Sequence, residues 1–261
     1  MALSMANGAS GATFYQEALD VVTNNIASME RAGFREEFLV GASVGYTQEK
    51  GVGSLSSANG NIVPAGIQKG HGVKSMAVVS KMTQGRLNRT DNPYHMAIQG
   101  KGYFQVEMPS GEIGYTRDGT FAVNAERTLV TQTGYVVAPA ITIPDATEYV
   151  VVNRSGKVQA KIAGTNAMVD VGTIEIVTFS NDEGLRKIED NLLLETDASG
   201  VPTTGNPGED SRGHILQGHY EGSNVDMVSQ VTKLIQIQRA YEMNIKSVKA
   251  ENELLQGFNN I

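Results

Sequence analysis

The C-terminal end of the chain carries its most regular hydrophobic pattern. No Gly or Pro occurs between Asp226 and Gly257, and the apolar residues alternate at spacings of three and four. This predicts one helix of about 50 Å that ends near Phe258 and starts at a Ser223–Asp226 capping box. Its seam comprises Met227, Val231, Leu234, Tyr241, Ile245, Val248 and Leu255, with Gln238 and Asn252 at two polar positions.

The N-terminal end repeats the same spacing. Its seam residues are Tyr15, Leu19, Val22, Ile26 and Met29, and the series extends back through Ala12, Gly8 and Met5. Gly and Ala are poor in buried area, and Gly also disfavours helix, but small residues let neighbouring helices approach closely. The two ends are therefore expected to pair with each other or with other copies of the chain.

The middle of the chain changes character. Residues 45–75 are rich in Gly and Ser, which indicates extended or loop-like structure. From Ala97 onward, short strand patterns alternate with turn signals. Asp118-Gly119 predicts a β-hairpin, and predicted strands likewise flank turns at Gly134 and Ser155-Gly156. Residues 197–213 are polar and contain six Gly or Pro residues, which predicts an exposed loop.

These patterns predict an α+β fold in which the terminal helices form a coiled-coil-like domain and a mainly antiparallel β-domain is inserted between them. The predicted boundaries are residues 1–30 plus 224–261 for the helical domain, 31–75 for the extended connecting segment and 76–223 for the β-rich domain.

Composition and charge narrow the classes of function. The 261 residues carry a formal net charge of -7 and no basic run, which argues against a nucleic-acid partner. The absence of Cys excludes thiolate metal sites and cysteine nucleophiles. No apolar run reaches the roughly 18 residues of a membrane span, so the chain is not expected to be membrane-inserted. The first ten residues do not predict a cleavable signal peptide.

Candidate chemistry is sparse. His214 and His219 are five residues apart, which matches no zinc motif. Gly100-Lys101-Gly102 is too short for a phosphate loop. Arg117 is expected to be a surface or subunit contact. The sequence therefore predicts no catalytic, cofactor or metal residues, no cofactor, and a protein that is not an enzyme.

Three ordered blocks resemble the flagellar basal-body rod and hook protein family. The first is Leu19-Asp-Val-Val-Thr-Asn-Asn-Ile-Ala27 with Gly33-Phe34-Arg35. The second is Ala97-Ile-Gln-Gly-Lys-Gly-Tyr-Phe-Gln-Val106 with Tyr115-Thr-Arg-Asp-Gly-Thr-Phe121. The third is Gln217-Gly-His-Tyr-Glu-Gly-Ser-Asn-Val-Asp226 with Gln238-Arg-Ala-Tyr-Glu-Met-Asn244. Within this family the likeness is greatest to distal rod subunits, since the Gly/Ser-rich stretch resembles a segment that hooks lack.

The resemblance implies a structural subunit that polymerises into a rigid hollow drive shaft across the periplasm, transmits torque from motor to hook and passes exported subunits. Its implied partners are copies of itself, proximal rod and hook-side axial proteins, the surrounding ring bushing and the flagellar type III export apparatus. The alternatives are a proximal rod or hook subunit and, from another class, a secreted β-rich binding module. The predicted subunit-interface residues are Tyr15, Leu19, Val22, Asn24, Asn25, Ile26, Met29, Phe34, Met227, Val231, Leu234, Gln238, Arg239, Tyr241, Ile245, Val248 and Leu255.

Two positions depart from the family pattern. Glu30-Arg31-Ala32 stands where the family has Asn-Thr before Gly-Phe, which predicts altered contacts near the first helix. Arg127-Thr128 stands where a Gly precedes Leu-Val-Thr, which predicts a different turn.

Overall fold

The computed structural model describes residues 2–51, 65–164 and 167–259. Helix α1 spans Ala2–Ala27 and helix α2 spans Met227–Asn259, and the described chain between them is mainly antiparallel β-structure. This confirms the α+β prediction. Residues 52–64, which hold most of the Gly/Ser-rich stretch, lie outside the described residues.

In the described residues, twenty strands lie between the two helices. They are β1 Glu37–Ser43, β2 Tyr46–Lys50, β3 Ile67–Gly70, β4 Val73–Ser80, β5 Leu87–Arg89, β6 Met96–Gln99, β7 Phe104–Glu107, β8 Ile113–Thr116, β9 Ala122–Val123, β10 Leu129–Val130, β11 Val136–Ala138, β12 Thr147–Val152, β13 Lys157–Ile162, β14 Met168–Thr173, β15 Ile176–Thr178, β16 Arg186–Lys187, β17 Leu192–Leu194, β18 Thr203–Gly205, β19 His214–Gln217 and β20 His219–Glu221.

The chain divides into two compact units, each built from separate stretches of sequence. Unit 1 contains Met1–Ile26, Glu37–Val79 and Asp226–Ile261. Unit 2 contains Ala27–Glu36 and Ser80–Val225. The predicted domain boundaries stay a prediction, because compactness alone does not show which parts fold independently.

Unit 1 combines both helices with two short ladders, β1–β4 and β2–β3. The start of α2 differs from the predicted capping box. The Asp226 carboxylate, and not the Ser223 hydroxyl, accepts the Ser229 N–H at 2.9 Å, while Ser223 bonds the N–H of Val225. The negative charge of Asp226 also interacts favourably with the positive end of the helix dipole. Because Asp226 is the N-cap residue, the helix starts three residues later than predicted.

Unit 2 contains a seven-stranded sheet in the order β16-β17-β8-β7-β11-β10-β9 and a three-stranded sheet in the order β12-β13-β14. Three further two-stranded ladders pair β15 with β18, β19 with β6 and β20 with β5. The predicted hairpins around Gly134 and Gly156 are confirmed, since β10 pairs with β11 and β12 with β13. Both glycines have positive φ, at 92° and 81°, as such tight turns require.

The core of unit 2 lies between these sheets. Phe104 and Phe121 stack edge to face with centroids 5.0 Å apart, and both are essentially inaccessible to solvent. Ile98, Ile174 and Ile215 pack into the same cluster. Residues far apart in sequence therefore share one core, which stabilises the unit through buried apolar area.

The predicted hairpin at Asp118-Gly119 is wrong. Strand β8 pairs with β7 and β17, while β9 pairs with β10, so the two strands that flank this turn do not pair with each other. The Asp118 carboxylate instead accepts the backbone N–H of Thr120 at 2.9 Å. A Cβ on Gly119 would lie 1.5 Å from the Met96 carbonyl oxygen. Glycine is required here by a close backbone approach and not by a hairpin turn.

The prediction of an exposed loop over residues 197–213 is also wrong in part. Strand β18 lies within it and pairs with β15, and both Ser199 and Arg212 are buried. The Arg212 guanidinium donates to the Thr204 carbonyl at 3.3 Å and to Asp210 at 3.2 Å. The polar composition of the segment predicted a loop. The segment is held by polar contacts and not by apolar side chains, so no hydrophobic pattern in the sequence indicates its burial.

The departure at Arg127 occupies a strained backbone position. Its φ is 60°, in the left-handed region, which disfavours residues with a Cβ. Its guanidinium donates to the Pro144 carbonyl at 2.9 Å and pairs with Asp145 at 3.0 Å. These contacts offset part of the strain that a glycine here would avoid.

Arg127→Gly and Arg127→Ala test this strain. Both variants lose the guanidinium contacts, but only alanine keeps a Cβ at positive φ. We expect the free energy of unfolding of Arg127→Gly, measured with denaturant, to exceed that of Arg127→Ala by about 1 kcal/mol. Asp145→Ala, which removes only the exposed ion pair, is expected to change stability by less than about 0.5 kcal/mol. Equal stability of the glycine and alanine variants would contradict the assignment of strain.

Candidate assembly surfaces

The two helices of unit 1 pack against each other in antiparallel orientation. The Ser4 hydroxyl bonds the Glu251 carboxylate near one end, and the Asn25 amide donates to the Gln230 amide oxygen at 3.4 Å near the other. The predicted pairing of the two chain ends is therefore present within a single subunit.

Glycines set how closely these helices approach. A Cβ on Gly8 would lie 2.8 Å from Cγ2 of Val248, and one on Gly11 would lie 2.6 Å from Oδ1 of Asn244. Both distances are shorter than ordinary van der Waals contact. The small residues that weaken the helix pattern in the sequence are thus the ones that lie against α2, as their size predicts.

The residues through which the two helices contact each other form a different heptad-spaced column, that is, a different row of positions along each helix, from the predicted seam. Heptad-spaced contacts on α1 include Ser4, Gly11 and Asn25, whereas the predicted seam runs through Leu19 and Ile26. On α2 the contacts likewise include Gln230, Asn244 and Glu251. The two columns share Gly8 on α1 and Val248 on α2. The face between the helices is therefore smaller and more polar than an apolar seam.

Asn25 makes the most extensive polar contacts on α1. Its side chain is fully buried, donates to the Glu37 carbonyl at 2.7 Å and accepts the Glu37 N–H at 2.9 Å. One side chain thus satisfies both backbone groups of the first residue in β1 while it contacts Gln230 on α2. It ties the start of the ladder to both helices of unit 1.

The ladder of β1 and β4 presents two different faces. On one face, a Cβ on Gly41 would lie 2.6 Å from the Phe14 ring, and Ser75 bonds the Glu17 carboxylate of the same helix. Residues alternate in direction along a strand, so neighbouring positions point away from α1. Four large apolar side chains on those positions are exposed: Phe38, Val40, Met76 and Val78.

A second exposed apolar stripe runs along the first turns of α2. Its members are Met227, Val228, Val231 and Ile235, of which Val228 is 75% exposed. At about 100° per residue, Met227 and Val231 lie beside the α1-facing Gln230, whereas Val228 and Ile235 lie towards the opposite side of the helix. Met227 and Val231 also belong to the predicted α2 seam, so the seam adjoins the α1-facing surface and these two residues of it are exposed.

Unit 2 contains a buried ionic cluster. The Glu221 side chain is 0% exposed and pairs with Arg35 at 2.6 Å and with Arg117 at 3.2 Å. Arg117 also donates to the Gly100 carbonyl at 2.7 Å and lies 5.3 Å from the centre of the Tyr103 ring. The expectation that Arg117 is a surface or subunit contact is therefore wrong.

Burial dominates the electrostatics around this cluster. It lowers the pKa of the Arg117 guanidinium, and the Glu221 carboxylate opposes that effect. It also raises the pKa of Tyr103 to about 12, with the negative charge of Asp182 acting in the same direction. Burial likewise raises the pKa of Asp182. The opposite charges of Glu221, Arg35 and Arg117 balance one another within the buried cluster.

Two general features of the described chain bear on its class. Among residues 2–51, 65–164 and 167–259, no group of three or more His, Asp or Glu side chains is arranged to hold a metal ion. Within the same residues, no helix has both the length and the apolar composition to cross a membrane.

Comparisons with known proteins agree with this architecture. The flagellar hook protein FlgE/F/G D1 domain matches residues 97–160, and the flagellar basal body rod FlgEFG protein C-terminal domain matches residues 216–261. The flagellar basal-body rod protein FlgG of Caulobacter vibrioides is 44% identical over 253 residues, which is 97% of each chain. The chain belongs to the FlgG family of flagellar basal-body rod proteins.

Two further relatives extend this likeness across distant bacteria. FlgG of Agrobacterium fabrum is 39% identical over 96% of each chain. FlgG of Borreliella burgdorferi is 34% identical over 100% of this chain and 99% of its own. The alignments thus cover both helices and the β-structure, and they identify a structural subunit of the distal rod. No catalytic family is indicated.

The predicted interface residues occupy three kinds of environment. Some are already buried within the chain, some are half-buried along the helices and some are exposed. Val22, Asn25 and Phe34 are buried; Tyr15, Leu19, Ile26, Met29, Leu234, Tyr241, Ile245, Val248 and Leu255 are half-buried; Asn24, Met227, Val231, Gln238 and Arg239 are exposed. Which of them contact another rod subunit stays a prediction.

The family departure before Gly33 lies within unit 2. The Ala32 carbonyl accepts the Asn191 side-chain amide at 2.8 Å, and Arg31 is exposed. Gly33 has a φ of 71°, and a Cβ on it would lie 2.7 Å from the Asp118 nitrogen. The Gly33-Phe34-Arg35 motif thus packs tightly against the rest of unit 2. Sequence reasoning missed this role because it assigned the motif to the extended connecting segment of residues 31–75.

Proposed function

We propose that this chain polymerises into a rigid, hollow helical drive shaft that transmits torque from the flagellar motor to the hook and passes exported subunits through its lumen. The observation that carries the proposal is the pair of unlike exposed apolar surfaces on unit 1, one on α2 and one on the β1–β4 ladder, in a chain of the FlgG family. Its role is structural, and it is not an enzyme.

Two unlike surfaces on one subunit suit an open polymer. A subunit that joins one surface to a different surface on the next copy makes heterologous contacts, which continue as a helix when the rotation does not close a ring. Each large apolar side chain that becomes fully buried contributes about 1.5–3 kcal/mol. A few such residues per contact are enough to favour assembly over the dispersed subunit.

The helical domain is proposed to form the core of the tube and to be coiled-coil-like. The 3–4 spacing of contact positions on both helices supports this, because that spacing keeps two helices in register along their length. The same domain would add further helices from neighbouring copies at the half-buried and exposed predicted interface positions.

The partners and location follow from rod membership. We propose contacts with proximal rod proteins, with hook-side axial proteins and with the ring bushing around a rod that crosses the periplasm. We also propose export through the flagellar type III apparatus, without a cleavable signal peptide. The relatives in support are basal-body rod proteins.

Electron microscopy of concentrated protein, with and without residues 1–26 and 226–261, tests polymerisation. Full-length protein is expected to form straight, hollow tubes, and the truncated form is expected to remain as compact single particles, because it lacks both helices. Tubes from the truncated form would place assembly elsewhere. Closed dimers from both forms would favour a secreted binding module.

Val231→Asp tests the stripe on α2. A charge at this exposed position is expected to abolish tube formation, because burying it without a partner costs several kcal/mol. The unfolding midpoint of the β-structure should stay within about 2 °C of the parent protein, because the site is on the surface. Gln236→Asp on the far side of α2 is the matched control and should assemble. Normal tubes from Val231→Asp would show that the stripe is not an interface.

Circular dichroism of the dispersed subunit tests whether assembly is coupled to folding. The contacts between α1 and α2 are small and polar, so the pair gains little from burial. We expect helix content to rise on polymerisation by an amount that corresponds to a large part of both helices. Full helicity before assembly would show that the helices fold without neighbouring subunits.

A further inference from the structure

The chain passes between its two units four times, and three stretches of unit 2 adjoin these passages. They are residues 27–36, which lie between the first and second passage, residues 80–86, which follow the third, and residues 221–225, which precede the fourth. These three stretches are called the stems here. All their contacts described below lie within unit 2.

Glu221 joins the third stem to the other two. Its carboxylate accepts a hydrogen bond from Arg35 at 2.6 Å and from the Gly85 N–H at 2.8 Å. Its backbone carbonyl accepts the Gly33 N–H at 2.8 Å. The remaining carboxylate oxygen pairs with Arg117, which directly follows strand β8 of unit 2. One buried residue therefore holds three stems and a core strand end together.

Asn224 repeats this arrangement three residues later. Its side-chain oxygen accepts the Glu36 N–H at 2.7 Å, in the first stem. Its side-chain nitrogen donates to the carbonyls of Lys81 at 2.8 Å and Thr83 at 3.0 Å, in the second. The first two stems also bond directly, since the Lys81 N–H donates to the Glu36 carbonyl at 2.8 Å.

The stems are also packed backbone to backbone. A Cβ on Gly85 would lie 2.0 Å from the carbonyl oxygen of Gly222, so only glycine permits this approach. The Gly222 N–H donates to the Arg86 carbonyl at 2.8 Å. Direct backbone contact leaves little freedom for one stem to move without the others.

We propose that Glu221 and Asn224 form a clasp that binds the three stems into one mechanical element of unit 2. Without it, each stem would be a separate linker able to bend alone. With it, the stems move together. Under the proposed function, in which the rod carries torque, a clasp of this kind keeps a twisting load from loosening the chain passages one at a time.

Hydrogen exchange of the soluble subunit tests the clasp without any need for polymer. In Glu221→Gln the amides of Gly33 and Gly85 are expected to exchange at least about tenfold faster, because two buried arginines lose their countercharge. In Asn224→Ala the amides of Glu36 and Lys81 are expected to respond in the same way. In both variants the amides of β7 should remain at least about tenfold better protected than the stem amides, because the stems open without the core.

Glu148→Gln is the matched control, because it removes the carboxylate from an exposed ion pair with Lys161. It should leave all stem amides unchanged. The proposal is overturned if the stem amides keep their parent rates, or if they show the same protection as the β7 amides, since the stems would then open only with the core. Should Glu221→Gln fail to fold, Asn224→Ala decides by the same criteria.

Failure of this proposal is distinguishable from failure of the proposed function. A subunit that forms no tubes still reports on the clasp by hydrogen exchange. A subunit whose stems open only with the core can still be assayed for tubes by electron microscopy.

Discussion

The fold depends on one fully buried carboxylate, that of Glu221. Both units are assembled from separated stretches of sequence, so the chain has to leave and re-enter unit 2 at several points. The backbone N–H and C=O groups of such passages need hydrogen-bond partners, and the conformational freedom of the chain there has to be restricted. Glu221 does both, since it accepts backbone N–H groups and pairs with Arg35 and Arg117. Removing one partner of a buried ion pair typically costs about 3–5 kcal/mol.

A second constraint is the small and polar contact between the terminal helices. Gly8 and Gly11 allow close approach, while the Asn25–Gln230 contact sets which residues lie opposite. A polar pair in such a position specifies register more than it adds stability. Apart from Val22, the large apolar side chains at the described positions of both helices are left half-buried or exposed. A subunit built in this way has surface to offer to copies of itself.

The sequence predicted those features that depend on local periodicity or on turn chemistry. The length of α2, the helical N-terminus and the hairpins at Gly134 and Gly156 all follow from such patterns. Features set by long-range contacts were missed. Asp118-Gly119 has the composition of a hairpin turn, but a carbonyl from Met96 determines its geometry. Arg117 is charged and was therefore predicted to lie on the surface. It is buried because it pairs with Glu221, which lies over a hundred residues away in the sequence.

The helix seams show why periodicity alone could not identify the contact face. A heptad column and its neighbour share every second position, so Gly8 on α1 and Val248 on α2 belong to both columns. Hydrophobicity favours the column through Leu19 and Ile26, whereas the contact between helices uses the column through Gly11 and Asn25. Periodicity therefore identifies the more apolar column, and size and polarity decide which column the partner helix of the same chain occupies. Under the proposed function the two need not coincide, because one column serves the fold of the subunit while the other would serve assembly.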